Sequence, residues 1–318
     1  MIKFLLLCLS IISSIVSAQN YPNRTTKLVV PFETGTPDSI ARILAPQLSA
    51  LTNQSYYVEN HPGANGMIGA DLVAKSKPDG YTLLATSTSI TVNPSYYKKL
   101  SYDISKDLVP VTNLGNVEAL LIVINAKSPI KNLTEFLAYA KKPENKVSYG
   151  SPGNGNHLHI SSALFNQRMG LNMVHIPYKG AGPATTALLG EQIQVLITTP
   201  AAVLPYIKDG RLKAIGFTGL KRSTLLPDVP TVAEQGFPNF EIDGGWFGLF
   251  TTAGTPKEVV LKIQQLVRQA YDKKSVADSV MQIGLDPVGD PPDSFKNFVD
   301  AEIVKYATRL KSLNIQAE

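Results

Sequence analysis

Thiols are almost absent from this 318-residue chain, which has one cysteine, Cys8, and four histidines. Cys8 lies inside an apolar N-terminal run, so the rest of the chain has no thiol. This excludes disulfide bonds, thiol catalysis and cysteine-ligated zinc from the folded protein. We therefore expect a fold that relies on its apolar core, with no metal and no cofactor.

Long apolar stretches are also absent, apart from Phe4–Val16 near the N-terminus. That run follows Lys3 and is shorter than the ~20 residues that a membrane span needs. It leads into the small residues Val16-Ser17-Ala18, which are typical of a signal-peptidase site. We therefore expect residues 1–18 to be a signal peptide rather than a membrane anchor, and we expect export to a bacterial periplasm.

Clusters of one charge are missing as well. The 30 Lys and Arg residues exceed the 25 Asp and Glu residues, and no basic run is longer than two residues. A nucleic-acid surface needs a basic cluster. We therefore expect no nucleic-acid partner and interpret the excess as a solvated, mildly cationic surface.

Short apolar runs alternate with helical patterns along most of the chain. Ile40, Leu44, Leu48 and Leu51, for example, keep helical spacing. Alternating strands and helices predict α/β architecture with largely parallel, doubly wound sheets. The strand-like segments are Lys27–Phe32, Tyr81–Ala85, Leu120–Ile124, Val147–Tyr149, Val174–Tyr178, Ile193–Thr198 and Leu212–Phe217.

Two segments share one pattern of strand, glycine-rich loop and helix: KLVVPFETGTPDSIARIL and KVSYGSPGNGNHLHISSALF. This internal echo suggests two similar α/β domains. Ligands of open α/β sheets bind beyond the carboxyl ends of the strands, where a helix N-terminus favours an anion. Both loops therefore suit a carboxylate, provided that Glu33 in the first loop points away from it.

Other chemistry for the second loop finds less support. Ser151 could act with His157 or His159 as a hydrolase pair, but no G-x-S-x-G motif surrounds it and Pro152 removes a backbone donor. Gly153–Leu158 begins like a phosphate-binding G-x-G-x-x-G motif but lacks the third glycine, and no P-loop lysine follows. The two histidines are two residues apart and point in different directions on a helix, which argues against a metal site. A clamp of neutral donors is the favoured interpretation.

Several long motifs resemble the Bug family, also called TctC-like, which comprises the extracytoplasmic solute receptors of tripartite tricarboxylate transporters. The resemblance covers nearly all of the chain after the signal peptide. The motifs are VVPFETGTPDSIAR (Val29–Arg42), VENHPGANGMIGADLVAKSKPDGYTLL (Val58–Leu84), YGSPGNGNHLH (Tyr149–His159), HIPYKGAGPA (His175–Ala184), LPDVPTVAEQGFP (Leu226–Pro238), WFGLFTTAGTP (Trp246–Pro256) and PPDSF (Pro291–Phe295).

The resemblance implies a type II periplasmic binding protein: two doubly wound α/β domains joined by two crossover segments that close like a flytrap. Domain 1 is then expected over residues 19–124 plus 246–318, and domain 2 over residues 125–245. The implied function is that of a periplasmic receptor, not an enzyme. It would capture a small organic carboxylate between the domains and deliver it to the membrane permease of a tripartite tricarboxylate transporter, acting as a monomer.

The resemblance also implies a set of ligand-binding residues, drawn from loops of both domains. The expected contacts are Phe32, Thr34, Gly35, Thr36, Thr86, Ser87, Ser151, Gly153, Asn154, Asn156, Tyr178, Lys179, Gly180, Thr198 and Thr199.

Some residues depart from the family pattern. The first loop is one residue shorter than usual, Thr36 stands where many members have Gly, and Asn156 stands where members usually have Ser. Where amine-binding members carry an acidic residue, this chain has Thr198 and Thr199, which favours plain carboxylates over amino acids. Three alternatives remain: a sensor that signals to a membrane kinase, a receptor for a ligand other than a carboxylate, and a periplasmic Ser hydrolase.

Overall fold

Residues 21–315 are described by the computed structural model, and they form two α/β lobes, each with its own sheet. The expected signal peptide, residues 1–18, lies outside the described residues. The two-lobed α/β architecture confirms the predicted fold class.

The first lobe contains a six-stranded sheet in the order β11-β4-β10-β3-β1-β2. Strand β1 pairs in parallel with β2 and β3, whereas β10 runs antiparallel to β3 and β4. The strands are β1 (Thr26–Val30), β2 (Tyr56–Asn60), β3 (Thr82–Ser87), β4 (Leu108–Asn116), β10 (Trp246–Thr252) and β11 (Asp286–Pro287).

The second lobe contains a five-stranded sheet in the order β7-β6-β8-β5-β9. Strand β6 is parallel to β7 and β8, whereas β5 runs antiparallel to β8 and β9. The strands are β5 (Leu121–Asn125), β6 (Ser148–Ser151), β7 (Val174–Pro177), β8 (Val195–Thr198) and β9 (Leu212–Phe217).

Eleven α-helices flank the sheets within residues 21–315. Their apolar spacing explains why they form: in α9, for example, the buried residues Val259, Ile263, Leu266 and Ala270 line one stripe against the first sheet. The helices are α1 (Thr36–Thr52), α2 (Met67–Ala74), α3 (Ser89–Tyr96), α4 (Ile104–Asp107), α5 (Leu133–Ala140), α6 (His157–Arg168), α7 (Ala181–Leu189), α8 (Pro200–Lys208), α9 (Lys257–Tyr271), α10 (Lys274–Gln282) and α11 (Pro292–Ser312). No helix among the described residues is long and apolar enough to cross a bilayer.

Both crossings between the lobes meet at one place. Val117 N–H donates to the Gly245 carbonyl oxygen at 2.8 Å, Gly244 N–H donates to the Glu118 oxygen at 3.3 Å, and Ala119 bridges Asp243 in antiparallel fashion. The paired segments form a two-stranded connection between the lobes, which we call the hinge.

Strands β5 and β10 receive the chain after each crossing, and each runs antiparallel to its neighbours. The sheets are therefore mixed, not largely parallel as the sequence pattern predicts. Because β5 belongs to the second sheet, its residues up to Ile124 do not belong to the first lobe's sheet, where the expected boundary would place them. We propose a domain boundary within the hinge segment that precedes Leu121.

Helix α11 supports the hinge from outside. The Asp243 carboxylate lies 3.2 Å from an Arg309 nitrogen and 3.4 Å from Lys305 Nζ. Burial alone would raise the pKa of Asp243, but the two cations outweigh it and hold that pKa below its ordinary value. Beside this cluster, Trp246 Nε1 donates to Glu302 Oε2 at 3.0 Å. The start of β10 is thereby fastened to α11.

We expect Glu302→Ala to destabilise the protein by about 1–3 kcal/mol, because it leaves the buried indole N–H of Trp246 without its acceptor. Glu302→Gln retains an acceptor oxygen and should therefore lose clearly less stability. Urea unfolding of the wild type and both variants measures the difference. An equal loss for Gln and Ala would show that the carboxylate charge, and not this hydrogen bond, carries the effect.

Candidate functional site

A small inner cavity of about 30 Å³ lies between the two lobes. It lies at the carboxyl ends of β1 and β6, where the two echoing loops were expected to meet. Its walls consist of Phe32, Thr34, Gly35, Thr36, Pro37, Ser87 and Phe247 from the first lobe and Pro152, Asn156, His157, Leu158, Ala181 and Thr199 from the second.

Four helices begin at this cavity. The first residues of α1 and α6, the first residue of α7 and the N-cap of α8, Thr199, all line it. The N-caps of α1, α7 and α8 receive no side-chain cap. The positive ends of four helix dipoles therefore lie beside a common space, an arrangement that favours negative charge.

The inner cavity has no ionised wall. Within residues 21–315, none of the residues that line it is Asp, Glu, Lys or Arg. His157 is its one titratable side chain, and burial lowers the pKa of His157 to about 4. The Nε2 atom of His157 lies 3.2 Å from the Gly244 carbonyl oxygen in the hinge, which assigns the proton of the neutral ring to Nε2.

The two lobes touch around the cavity, so the structure is a closed form. The Thr36 and Thr199 hydroxyl oxygens are 2.8 Å apart, and Gly182 N–H donates to the Thr34 carbonyl oxygen at 3.2 Å. Across the same gap, Tyr97 Oη donates to the Asn154 carbonyl oxygen at 3.0 Å.

A larger outer cavity of about 350 Å³ adjoins the inner one and shares Phe32 and Pro152 with it. Lys179 is the one ionised side chain in its wall among the described residues. The remaining lining residues are Gly63, Ala64, Asn65, Gly66, Tyr97, Gly153, Asn154, Pro177 and Tyr178.

The two cavities bring together most of the residues predicted to bind a ligand. The inner cavity contains Phe32, Thr34, Gly35, Thr36, Ser87, Asn156 and Thr199; the outer one contains Phe32, Gly153, Asn154, Tyr178 and Lys179. The structure places Thr86, Ser151, Gly180 and Thr198 in neither wall.

Strand geometry explains two of these four placements. Thr86 and Thr198 are buried members of β3 and β8, and each precedes a residue that lines the inner cavity, Ser87 and Thr199 respectively. Successive side chains of a strand point to opposite faces, so the sequence alone left open which neighbour faces the ligand. Gly180 instead lies at the contact between the lobes, where an added Cβ would be 3.4 Å from the Glu33 Cβ.

Ser151 forms hydrogen bonds with residues of its own lobe and not with either cavity. Its hydroxyl is 2.6 Å from His175 Nε2 and accepts from Gly153 N–H at 3.2 Å, and the residue is only 1% exposed. His159 is one of the two histidines that the sequence suggested as a base for Ser151. It accepts from Gly155 N–H through Nδ1 and stacks on His175. A hydroxyl that is buried and faces neither cavity is poorly placed for nucleophilic attack.

Six lining residues of the inner cavity were not predicted as ligand contacts: Pro37, Pro152, His157, Leu158, Ala181 and Phe247. Four of them directly follow a predicted residue in the sequence or precede one, so extending each loop by one residue would have found them. Phe247 reaches the cavity because β10 places it opposite Ser87. Glu33 is not in either wall, as the carboxylate hypothesis requires.

Comparisons with known proteins show the family and the fold of the chain. The family model described as "Tripartite tricarboxylate transporter family receptor" matches residues 40–315. Protein BugT of Bordetella pertussis is 36% identical over 299 residues, which is 93% of this chain and 91% of that protein. The structure of the periplasmic binding protein BugD superposes with a TM-score of 0.88 at 31% identity, and that of R. palustris Rpa4515 with adipate superposes with a TM-score of 0.89 at 30% identity; each match covers 94% of this chain and 100% of the other.

The lowered pKa of His157 predicts a pH dependence of stability. Because this pKa, about 4, is below the ordinary 6.5, the unfolded chain binds the proton more readily between these values. The contribution to stability is complete above pH 6.5 and is lost as the pH falls towards 4. His175, whose pKa burial lowers to about 3, acts in the same direction. We expect His157→Gln to flatten the decline in unfolding free energy between pH 6.5 and 4 in urea titrations; an unchanged slope would contradict the assignment.

Proposed function

Because the chain belongs to the tripartite tricarboxylate transporter receptor family and is thus a solute-binding receptor rather than an enzyme, we propose that it captures a small organic carboxylate and holds the acid group in the inner cavity. The captured acid is then delivered to the membrane permease of a tripartite transporter. The receptor acts in the periplasm, in keeping with its similarity to the periplasmic binding protein BugD.

The single observation that carries this proposal is the convergence of four helix N-termini on a cavity without ionised walls. A carboxylate leaves water only if its oxygens find donors elsewhere. Backbone N–H groups and neutral hydroxyls supply such donors, and the aligned helix dipoles add a favourable potential. A lysine or arginine is then not needed to hold the negative charge.

Capture requires the ligand to favour the closed form. A ligand shifts a conformational equilibrium only through a difference in affinity between the two forms. The inner cavity draws its walls from both lobes, so a carboxylate there gains all its contacts only when Thr34–Pro37 and Asn156–Leu158 face each other. Ligand binding and closure are therefore one coupled event.

The wall composition also suggests selectivity. No acidic residue lines either cavity within the part of the chain that the structure describes, so an ammonium group would find no counter-charge. Plain carboxylates are therefore favoured over amino acids. Rpa4515, a relative of this chain in structure and sequence, has been solved with adipate, which makes adipate the first acid to test.

A thermal-shift screen with adipate, malate, citrate and benzoate tests the proposal. An acid present at 100 times its dissociation constant should stabilise the protein by about 2.7 kcal/mol. Adipamide, which has the length of adipate but no charge, is the matched control and should give no shift. The proposal fails if none of the acids shifts the transition, or if adipamide shifts it as much as adipate does.

Gly182→Val tests whether closure is part of capture. An added Cβ at Gly182 would overlap the Thr34 hydroxyl and lie 3.2 Å from the Thr34 Cβ on the opposite lobe. The larger side chain should hold the lobes apart and weaken binding of the acid found in the screen by at least about tenfold. Gly190→Val, at the other end of α7 and without contacts below 3.5 Å, is the control. Equal affinities for the two variants in calorimetric titration would contradict coupled closure.

A further inference from the structure

A chain of three buried amides crosses from one lobe to the other beside the inner cavity. Asn93 Nδ2 donates to Tyr102 Oη at 3.4 Å, and Asn93 Oδ1 accepts from Asn65 Nδ2 at 2.8 Å, all within the first lobe. Asn65 Oδ1 then accepts from Asn156 Nδ2 of the second lobe at 3.0 Å. We call Asn93, Asn65 and Asn156 the amide relay.

The direction of the amide relay is fixed from one end. The Leu158 backbone N–H can only donate, and it donates to Asn156 Oδ1 at 3.0 Å. Asn156 must therefore direct its NH₂ group at Asn65, which in turn must offer its oxygen to Asn156 and its NH₂ group to Asn93. Asn65 is 7% exposed, Asn93 is 1% exposed and Asn156 is 2% exposed, so water does not compete for these hydrogen bonds.

This orientation matters because Asn156 also lines the inner cavity. An amide nitrogen carries two hydrogens, and Asn65 takes one of them. The other can be donated to an anion in the cavity. The reverse orientation would present the amide oxygen, which repels a carboxylate. Asn65 lines only the outer cavity, so it acts on the inner one through Asn156.

The backbone at Asn65 is unusual in a way that suits this role. Asn65 has φ 51° and ψ 38°, and the preceding Ala64 has φ 47°. Left-handed conformations are unfavourable for L-residues, although Asn tolerates them better than most residues. Such strain persists where the surrounding structure imposes it, commonly at functional sites.

We propose that Asn65 is a positioning residue for carboxylate binding: it orients the Asn156 amide towards the inner cavity as a donor and joins the lobes in the closed form. The proposal rests on the proposed function, since it assigns to Asn156 a contact with the captured acid. The proposal also explains why this chain has Asn at position 156, where the family resemblance leads one to expect Ser. A serine hydroxyl does not extend as far from the backbone towards Asn65.

Asn65→Gly is the sharpest test, because glycine adopts the backbone conformation of Asn65 without strain and removes only the side chain. Asn53→Gly is a matched control: Asn53 also has positive φ, 54°, and it lies exposed at the C-terminal end of α1. Both variants should fold, and their melting temperatures without added acid verify this.

Two readouts follow for these variants. The affinity for adipate, measured by calorimetry, should fall about tenfold to hundredfold in Asn65→Gly, which loses two buried hydrogen bonds, and should stay unchanged in Asn53→Gly. The radius of gyration is measured by X-ray scattering with and without adipate. In at least one of these conditions it should be larger for Asn65→Gly than for Asn53→Gly, because Asn65→Gly populates the closed form less. A structural role alone would lower the melting temperature without changing the radius.

Equal radii for Asn65→Gly and Asn53→Gly in both conditions would overturn the proposal, and so would equal affinities for adipate. If the wild type does not bind adipate, both comparisons are made with the acid that gives the largest thermal shift. Failure of the relay is thereby distinguished from failure of the proposed function, which depends on the acid screen and not on these variants.

Discussion

The proposed function depends on one electrostatic constraint: a captured anion would have to leave water for an inner cavity that has no ionised wall. Four helix N-termini and the hydroxyls of Thr36 and Thr199 meet that constraint with neutral groups. A buried Lys or Arg would itself need compensation whenever the cavity is empty. Neutral donors avoid this cost, since water can satisfy them in the open form. The same site can therefore bind an acid and release it again.

The remainder of the fold brings the parts of this arrangement together. The first lobe supplies the N-terminus of α1 and the second lobe supplies those of α6, α7 and α8, and the hinge at Val117–Ala119 and Asp243–Gly245 joins the two lobes. Helix α11 holds that hinge in place through its contacts with Asp243 and Trp246. Because Gly180 and Gly182 carry no side chain, the loops can approach until backbone groups meet.

Much of the fold and of the candidate site could be predicted from the sequence, for identifiable reasons. Phe32–Thr36 and Asn156 follow apolar strands and begin helices, so the strand-end rule locates them without knowledge of the fold. The direction of β5 could not be predicted, because a fully buried apolar strand carries no mark of its orientation. The choice of Ser87 over Thr86 depends on which face of a strand meets the cleft. The contact between Asn65 and Asn156 joins residues 91 positions apart and leaves no local signal.

The most direct test of the central claim is a crystal structure of the protein grown with the acid that gives the largest thermal shift. The account predicts that one carboxylate group accepts hydrogen bonds from the Thr34–Pro37 segment of the first lobe and from the Asn156–Leu158 segment of the second. It also predicts that no Arg or Lys side chain forms an ion pair with that group. A carboxylate bound to one lobe only, or held chiefly by a cationic side chain, would contradict it.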